Sequence, residues 1–327
     1  LILGASSGFG EATARALAAS GYDIAGVHLD RRAGLPHVEE IKAAIAELGR
    51  KARFYNINAA DDAQRDETLA DLRGHFDELR REGREAYVRV VLHSLAFGTL
   101  KPFLTRAPED GINRKNMEMT LDVMAHSFVY WAQALWRGGF LGEGSKFYAM
   151  TSEGSTRVVE SYGAVSAAKC GLESHCRQLA MEFARTGEGI TVNAIRAGVT
   201  VTPALMQIPE RDKLIDHAMK KNPMGRMTTT DDVAQAIAPS SRVLYVDNDA
   251  MMQLLAPHAD VLAARFALVD PIGEAARVEL VLELAVTAVV HASHLRAQPG
   301  RPYPRRARHV ERRRLHPVRR RLRLAGG

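Results

Sequence analysis

The residues best suited to chemistry lie in two short segments that follow one another in the second quarter and middle of the chain. Ser161-Tyr162-Gly163-Ala164-Val165-Ser166-Ala167-Ala168-Lys169 places a phenol and an amine in one stretch of helical composition. A phenol can hydrogen-bond an oxygen that gains negative charge during a reaction, and a nearby ammonium assists it electrostatically. Tyr162 and Lys169 are seven residues apart. On a 3.6-residue helix that is two turns, about 20° off alignment, with about 10 Å of rise between the side chains. Tyr162 must therefore reach from the helix's first turn or from just ahead of it. Ser152, in Thr151-Ser152-Glu153-Gly154, is a hydroxyl ten residues before Tyr162. The plainer readings are a coincidental Tyr and Lys on an amphipathic helix, and a Ser that caps a turn.

Gly4-Ala5-Ser6-Ser7-Gly8-Phe9-Gly10 is a different kind of site. Glycines let a backbone turn tightly and approach a pyrophosphate closely, and a helix that follows offers free N–H groups and its positive end to that phosphate. The spacing is Gly-x3-Gly-x-Gly, and the alternative is a glycine-rich turn that binds nothing. Near the second strand's end stand Asp30, Arg31 and Arg32. An acid there binds the ribose hydroxyls of NAD, and basic residues accept the 2′-phosphate of NADP. The two arginines favour NADPH over NADH, Asp30 keeps NADH in play, and solvated loop charges are the bland alternative.

These segments need a scaffold, and the pattern supplies one. Short apolar runs at residues 1–3, 24–29, 52–57, 87–92, 146–150 and 190–195 alternate with amphipathic stretches at 11–19, 37–48, 61–79, 113–135 and 162–184. Strand–helix alternation with uniformly apolar strands predicts an α/β fold, a doubly wound parallel Rossmann sheet with both faces covered. The expected organisation is a single domain over residues 1–240, an uncertain and partly helical segment over 241–297, and an Arg-rich disordered tail over 298–327.

On these motifs the chain resembles the short-chain dehydrogenase/reductase superfamily, over residues 1 to about 238. Within it, three features resemble the bacterial enoyl-acyl-carrier-protein reductases: the Tyr-x6-Lys spacing, His93-Ser94-Leu95-Ala96 where most members have Asn-Asn-Ala-Gly, and Ser152 as in an NADPH-linked subgroup. The resemblance implies catalytic roles for Tyr162, Lys169 and Ser152. It implies that Gly4, Ser6, Ser7, Gly8, Phe9 and Gly10 line the cofactor, with Arg31 and Arg32 near its 2′ position and Asn58 on the adenine side. Ser94, Leu95 and Ala96 would pass the ribose, Lys169 would hold ribose hydroxyls, and Thr202 would contact the nicotinamide end. His28 occupies the place where an NAD-selective Asp is common. Residues 204–219 would form a lid over an acyl chain. The implied reaction is hydride transfer to the double bond of an enoyl thioester carried by acyl carrier protein or coenzyme A. A carbonyl reductase or alcohol dehydrogenase, and a cofactor binder without turnover, are the alternatives. A homodimer or homotetramer is implied as well, through helices 113–135 and 162–184, with Phe128, Trp131, Leu135, Leu172, Leu179 and Phe183 as its apolar surface.

The bulk numbers agree with a cytoplasmic enzyme without a metal. No run of eighteen apolar residues is present, so no membrane helix is expected. Cys170 and Cys176, six apart, are not at a metal-ligand spacing and read as reduced thiols. The opening Leu1-Ile2-Leu3, almost without lead-in to the glycine loop, reads as though a few residues are missing. The net charge of +6 is uneven: residues 301–327 hold eleven Arg against the single acid Glu311, and all nine Lys lie at or before Lys221. Such a Lys-free tail resembles the product of a shifted reading frame. The rival reading is an extension that binds nucleic acid, and having Tyr303 as its one aromatic argues against that. Residues beyond about 298 are expected to lack fixed structure and to take no part in catalysis.

Overall fold

The structure, a computed structural model, describes residues 1–240 apart from 210, 223 and 224. The segments 241–297 and 298–327 lie outside the described residues. Six strands form one parallel sheet in the order β3-β2-β1-β4-β5-β6. They are β1 (Ile2–Leu3), β2 (Ile24–His28), β3 (Ala52–Asn56), β4 (Val88–His93), β5 (Leu141–Met150) and β6 (Thr191–Ile195). Helices α1 (Gly8–Ala19), α2 (Leu35–Glu47), α3 (Asp62–Arg81), α4 (Arg114–Leu121), α5 (Ser127–Arg137), α6 (Gly163–Thr186), α7 (Arg211–Lys221) and α8 (Thr230–Ser240) connect or follow the strands. The doubly wound sheet expected from the strand–helix alternation is therefore present.

Because successive side chains of a strand point to opposite faces, each central strand feeds two cores. Leu3, Val91 and Phe147 join Phe76, Phe128, Trp131, Leu172 and Phe183 under α3, α5 and α6. Ile2, Val90, Leu92, Tyr148 and Met150 join Leu17, Ile41, Ile45 and Ile237 under α1, α2 and α8. Both faces are covered, which is why the strands read as apolar runs.

Two expectations change. The stretch 113–135 is two helices joined by a π-helical turn, Asp122–His126, rather than one α-helix. From the first residue of α5 the Ser127 hydroxyl donates back across that turn to the Val123 carbonyl at 2.8 Å, and side-chain bonding of this kind competes with the regular ladder. The six side chains expected to form an apolar docking face do not form one. Phe128, Trp131, Leu135, Leu172, Leu179 and Phe183 are all buried in the chain's own core, and the Trp131 Nε1–H donates to the Ala59 carbonyl at 2.8 Å. They offer nothing for a second copy to cover. Among the described residues, no helix is long and apolar enough to cross a membrane, and no group of three or more His, Cys, Asp or Glu could hold a metal ion.

Gly74 sits exposed in the middle of α3, and a Cβ added there meets nothing within 4 Å. Gly74→Ala should raise stability by about 0.5–1 kcal/mol, because glycine's extra backbone freedom is lost from the unfolded chain alone. A urea midpoint that stays put or falls would contradict this.

Candidate active site

The exits of β1, β2, β4, β5 and β6 lie at one edge of the sheet. The strand order reverses between β1 and β4, the crevice where doubly wound sheets bind ligands. Gly4, just past β1, has φ +89°. Its backbone N–H and that of Ala5 both donate to the Val27 carbonyl of β2, at 2.8 and 3.0 Å. A side chain on Gly4 would strike the Ser94 carbonyl past β4, and Leu95 Cδ2 lies 3.4 Å from the same point. A Cβ on Gly10 would land on the Gly4 carbonyl. Gly8, at φ +56°, has the Thr202 methyl 3.4 Å from its missing Cβ. The three glycines are thus each required by geometry, and they draw the exits of β1, β2 and β4 together with the segment after β6.

Helix α1 begins here with Ser7 as its N-cap, and no side chain caps its first-turn N–H groups. Uncapped N–H groups at a helix start are a ready site for a phosphate. The cradle therefore fits a dinucleotide, with Gly4, Ser6, Ser7, Gly8 and Gly10 as its wall. Phe9 is half-buried, and its side chain packs against the core under α1. Asn58 also behaves as an ordinary turn residue, its Oδ1 accepting from the Ala60 N–H at 3.1 Å. Ala96 and Phe97 are exposed beside the cradle.

The second half of the site is built on β5 and α6. Tyr162 is the N-cap of α6, one residue ahead of its first turn, as the seven-residue spacing requires. It is preceded by Ser161 at φ 58°, the one non-glycine residue with positive φ among the described residues. A residue held there costs about 1–3 kcal/mol, and such strain clusters at functional sites. The Tyr162 ring lies over Gly154, where a Cβ would come within 2.6 Å of its Cε1. Burial pushes the phenol above its usual value, and the nearby Ser152 hydroxyl pulls the other way without winning. Tyr162 is therefore a protonated donor at neutral pH. Ser152 Oγ accepts from the Gly154 N–H at 3.1 Å, so it caps the turn that lies under the phenol ring.

Lys169 is buried two turns into α6. Its Nζ donates to the Met150 carbonyl at 2.8 Å and the Leu95 carbonyl at 3.4 Å, which ties α6 to the exits of β5 and β4. Burial lowers its pKa to about 8, while the Cys176 and Glu173 side chains act to raise it.

His93 is the residue the sequence undervalued. It is fully buried at the end of β4, and its Nε2 meets Ser127 Oγ at 2.9 Å. Since that hydroxyl donates to Val123, Nε2 carries the ring proton, and Nδ1 is buried without a partner among the described residues. Burial, then the Lys169 charge, drives its pKa down to about 3. It is a neutral strut that fastens the exit of β4 to the π-helical turn.

A family model described as enoyl-(acyl carrier protein) reductase matches residues 4–239. The chain belongs to this family, within the short-chain dehydrogenase/reductase superfamily. It is an oxidoreductase of that type, on the fold that binds a nicotinamide cofactor. It is 29% identical over 200 residues to the enoyl-[acyl-carrier-protein] reductase [NADH] FabI of Neisseria meningitidis, covering 61% of this chain and 71% of that protein. It is 30% identical over 242 residues to the 3-oxoacyl-[acyl-carrier-protein] reductase FabG of Aggregatibacter actinomycetemcomitans, covering 72% of this chain and 88% of that one. A short-chain dehydrogenase/reductase structure from Serratia marcescens superposes with a TM-score of 0.60 at 18% identity, over 75% of this chain and 91% of that chain, which bears on the fold alone.

The preference for NADPH over NADH needs correction. The Neisseria relative is named for NADH, as are other enoyl reductases similar to this chain. The geometry gives a physical reason to discount the arginines. Arg31 and Arg32 are exposed at the start of a short 3-10 helix, whereas Asp30 is fixed at the exit of β2. Its carboxylate meets His28 Nδ1 at 2.8 Å, and its backbone N–H donates to Asn56 Oδ1 at 2.9 Å. An ordered acid at this place is the feature that favours NAD.

Proposed function

We propose that this oxidoreductase reduces the carbon–carbon double bond of an enoyl thioester, with NADH as the donor. The observation that carries the reading is the placement of Tyr162: ahead of the first turn of α6, seven residues before Lys169, against Gly154 and Ser152. A bound nicotinamide supplies the hydride. The chain's part is to hold the reactants and meet the charge that develops on the thioester oxygen. The Tyr162 phenol donates to that oxygen, and burial makes the bond stronger than it would be in water. Two of the three Lys169 donors hold backbone carbonyls, and the third is assigned to a ribose hydroxyl. Phe97, Phe103, Val201 and Met206 are exposed apolar side chains on the segments that flank these groups, and the Phe103 ring lies against Gly163. Such a lip suits an alkyl chain.

The broad coverage of the 3-oxoacyl reductase relative favours a second reading, reduction of a 3-oxoacyl thioester, in which Ser152 and Tyr162 share the ketone oxygen. One assay separates the two. Loss of NADH absorbance with crotonyl thioester, and little with acetoacetyl thioester, is the expected result; the reverse preference would overturn the first reading in favour of the second. Turnover with neither would leave a cofactor binder.

A further inference from the structure

Glu173 lies one turn beyond Lys169 on α6 and is mostly buried. One of its carboxylate oxygens, Oε1, accepts from the Thr151 hydroxyl at 2.6 Å, from the Ser155 hydroxyl at 2.8 Å and from Arg196 Nη2 at 3.4 Å. The carboxylate thus joins three places in the fold. Thr151 and Ser155 bracket the Ser152 turn after β5. Arg196 opens the segment after β6 that carries Thr202 onto Gly8. Glu173 itself shares its helix with Tyr162 and Lys169. We infer that Glu173 is a positioning residue for the reaction: it locks the Ser152 turn and the exit of β6 to α6, and it places a carboxylate one helical turn from Lys169. The inference rests on the reading of Tyr162 and Lys169 given above.

The charges around the pair leave this role to Glu173. Burial would push its carboxyl up, but the Thr151 and Ser155 hydroxyls and the Arg196 guanidinium outweigh burial and hold it below the usual carboxylate range, so it is an anion at neutral pH. Cys176, on the same face of α6, would raise Lys169 only as a thiolate, and burial pushes its thiol up to about 12, so it is neutral in the working range. His93, facing Lys169 from β4, is neutral as well. Arg196 from the β6 exit neutralises part of the anion, and Arg177 on α6 lines the same cavity behind the Ser152 turn. Glu173 is the anion among these neighbours. Lys169, already lowered to about 8 by burial, would lose its proton nearer neutrality without it.

The sign follows. Removing an anion disfavours the ammonium, so any property that needs charged Lys169 has an alkaline limb that moves to lower pH. Glu173→Gln keeps the shape and an amide oxygen for the two hydroxyls while deleting the charge. The test is NADH binding, followed by nicotinamide fluorescence from neutral to alkaline pH, in the full chain and in Glu173→Gln, Glu173→Asp, Thr151→Val and Lys169→Met. The limb is expected to move down by roughly half a unit or more in Glu173→Gln. It should return close to its wild-type place in Glu173→Asp, which restores the charge, and move by less in Thr151→Val, which only loosens the carboxylate. A role in folding alone would lower the melting temperature without moving the limb. If Glu173→Gln does not fold, Thr151→Val, a near-isosteric change, still reads the shift. A limb present in wild type, lost in Lys169→Met and unmoved in every folded variant at Glu173 and Thr151 would overturn the inference alone. A wild-type limb that survives Lys169→Met would overturn the assignment of Lys169 and the inference with it.

Discussion

Replacing Tyr162 by Phe should lower kcat by roughly 10²-fold or more, the usual cost of losing one donor to a developing oxyanion. The ring should stay where it is, since Phe keeps the packing against Gly154 and leaves no cavity. NADH binding should persist, because the cradle is built from the glycine loop and Lys169 rather than from the phenol. The loss should appear equally in kcat and kcat/KM, which marks an interaction made only in the transition state. Steady-state kinetics with crotonyl thioester, beside an NADH titration, make the measurement. Turnover at the wild-type rate would remove Tyr162 from the chemistry. A rise in KM at constant kcat would make the hydroxyl a ground-state binding group instead.

What could be read from the sequence divides along a physical line. The glycine loop was legible because its spacing is dictated locally: Gly4 and Gly8 need positive φ, and Gly10 has no room for a Cβ against a neighbour six residues away. The sheet was legible because strands buried on both faces must be apolar throughout. Tyr162 just ahead of α6 followed from helical periodicity alone. The failures are matters of what a face is packed against. Phe128, Trp131 and Leu135 have the same periodicity whether they cover a second copy or fill a core, and the sheet turned out to be their partner. The π-helical turn, spanned by the bond from the Ser127 hydroxyl to the Val123 carbonyl, has no signature in composition.

The site's supporting residues were hidden for a related reason. Glu173 carried one local signal, its spacing of four from Lys169, the neighbour distance on a helix. Its other partners, Thr151, Ser155 and Arg196, come from segments joined only by the fold. His93 has one nitrogen buried without a partner, among the described residues, beside Lys169, a setting that only the fold creates. The cofactor expectation failed because Arg31 and Arg32 were weighed as charges. What separates them from Asp30 is order: Asp30 is held through His28 and Asn56, while both arginines are exposed.

Gly4→Ala should weaken NADH binding by roughly 10–100-fold, two effects acting at one atom. The first is conformational, because at φ +89° an L side chain is strained wherever it points. The second is steric, because the new methyl would fall on the Ser94 carbonyl. Neither group can yield cheaply. The Gly4 and Ala5 N–H groups are bonded to the Val27 carbonyl, and the Ser94 N–H to the Leu3 carbonyl at 2.8 Å. Relief must therefore come from spreading the crevice between β1 and β4, which is the cofactor's cradle in this reading. Gly49 separates the two effects. It also has positive φ, +70°, but a Cβ there meets nothing within 4 Å. Gly49→Ala should thus lower stability by about 1 kcal/mol from backbone strain and leave the NADH affinity unchanged. Fluorescence titration of both variants, with melting temperatures as the control for folding, makes the comparison. Wild-type affinity in a folded Gly4→Ala protein would mean that the glycine loop is a structural turn and that the dinucleotide, if bound, lies elsewhere.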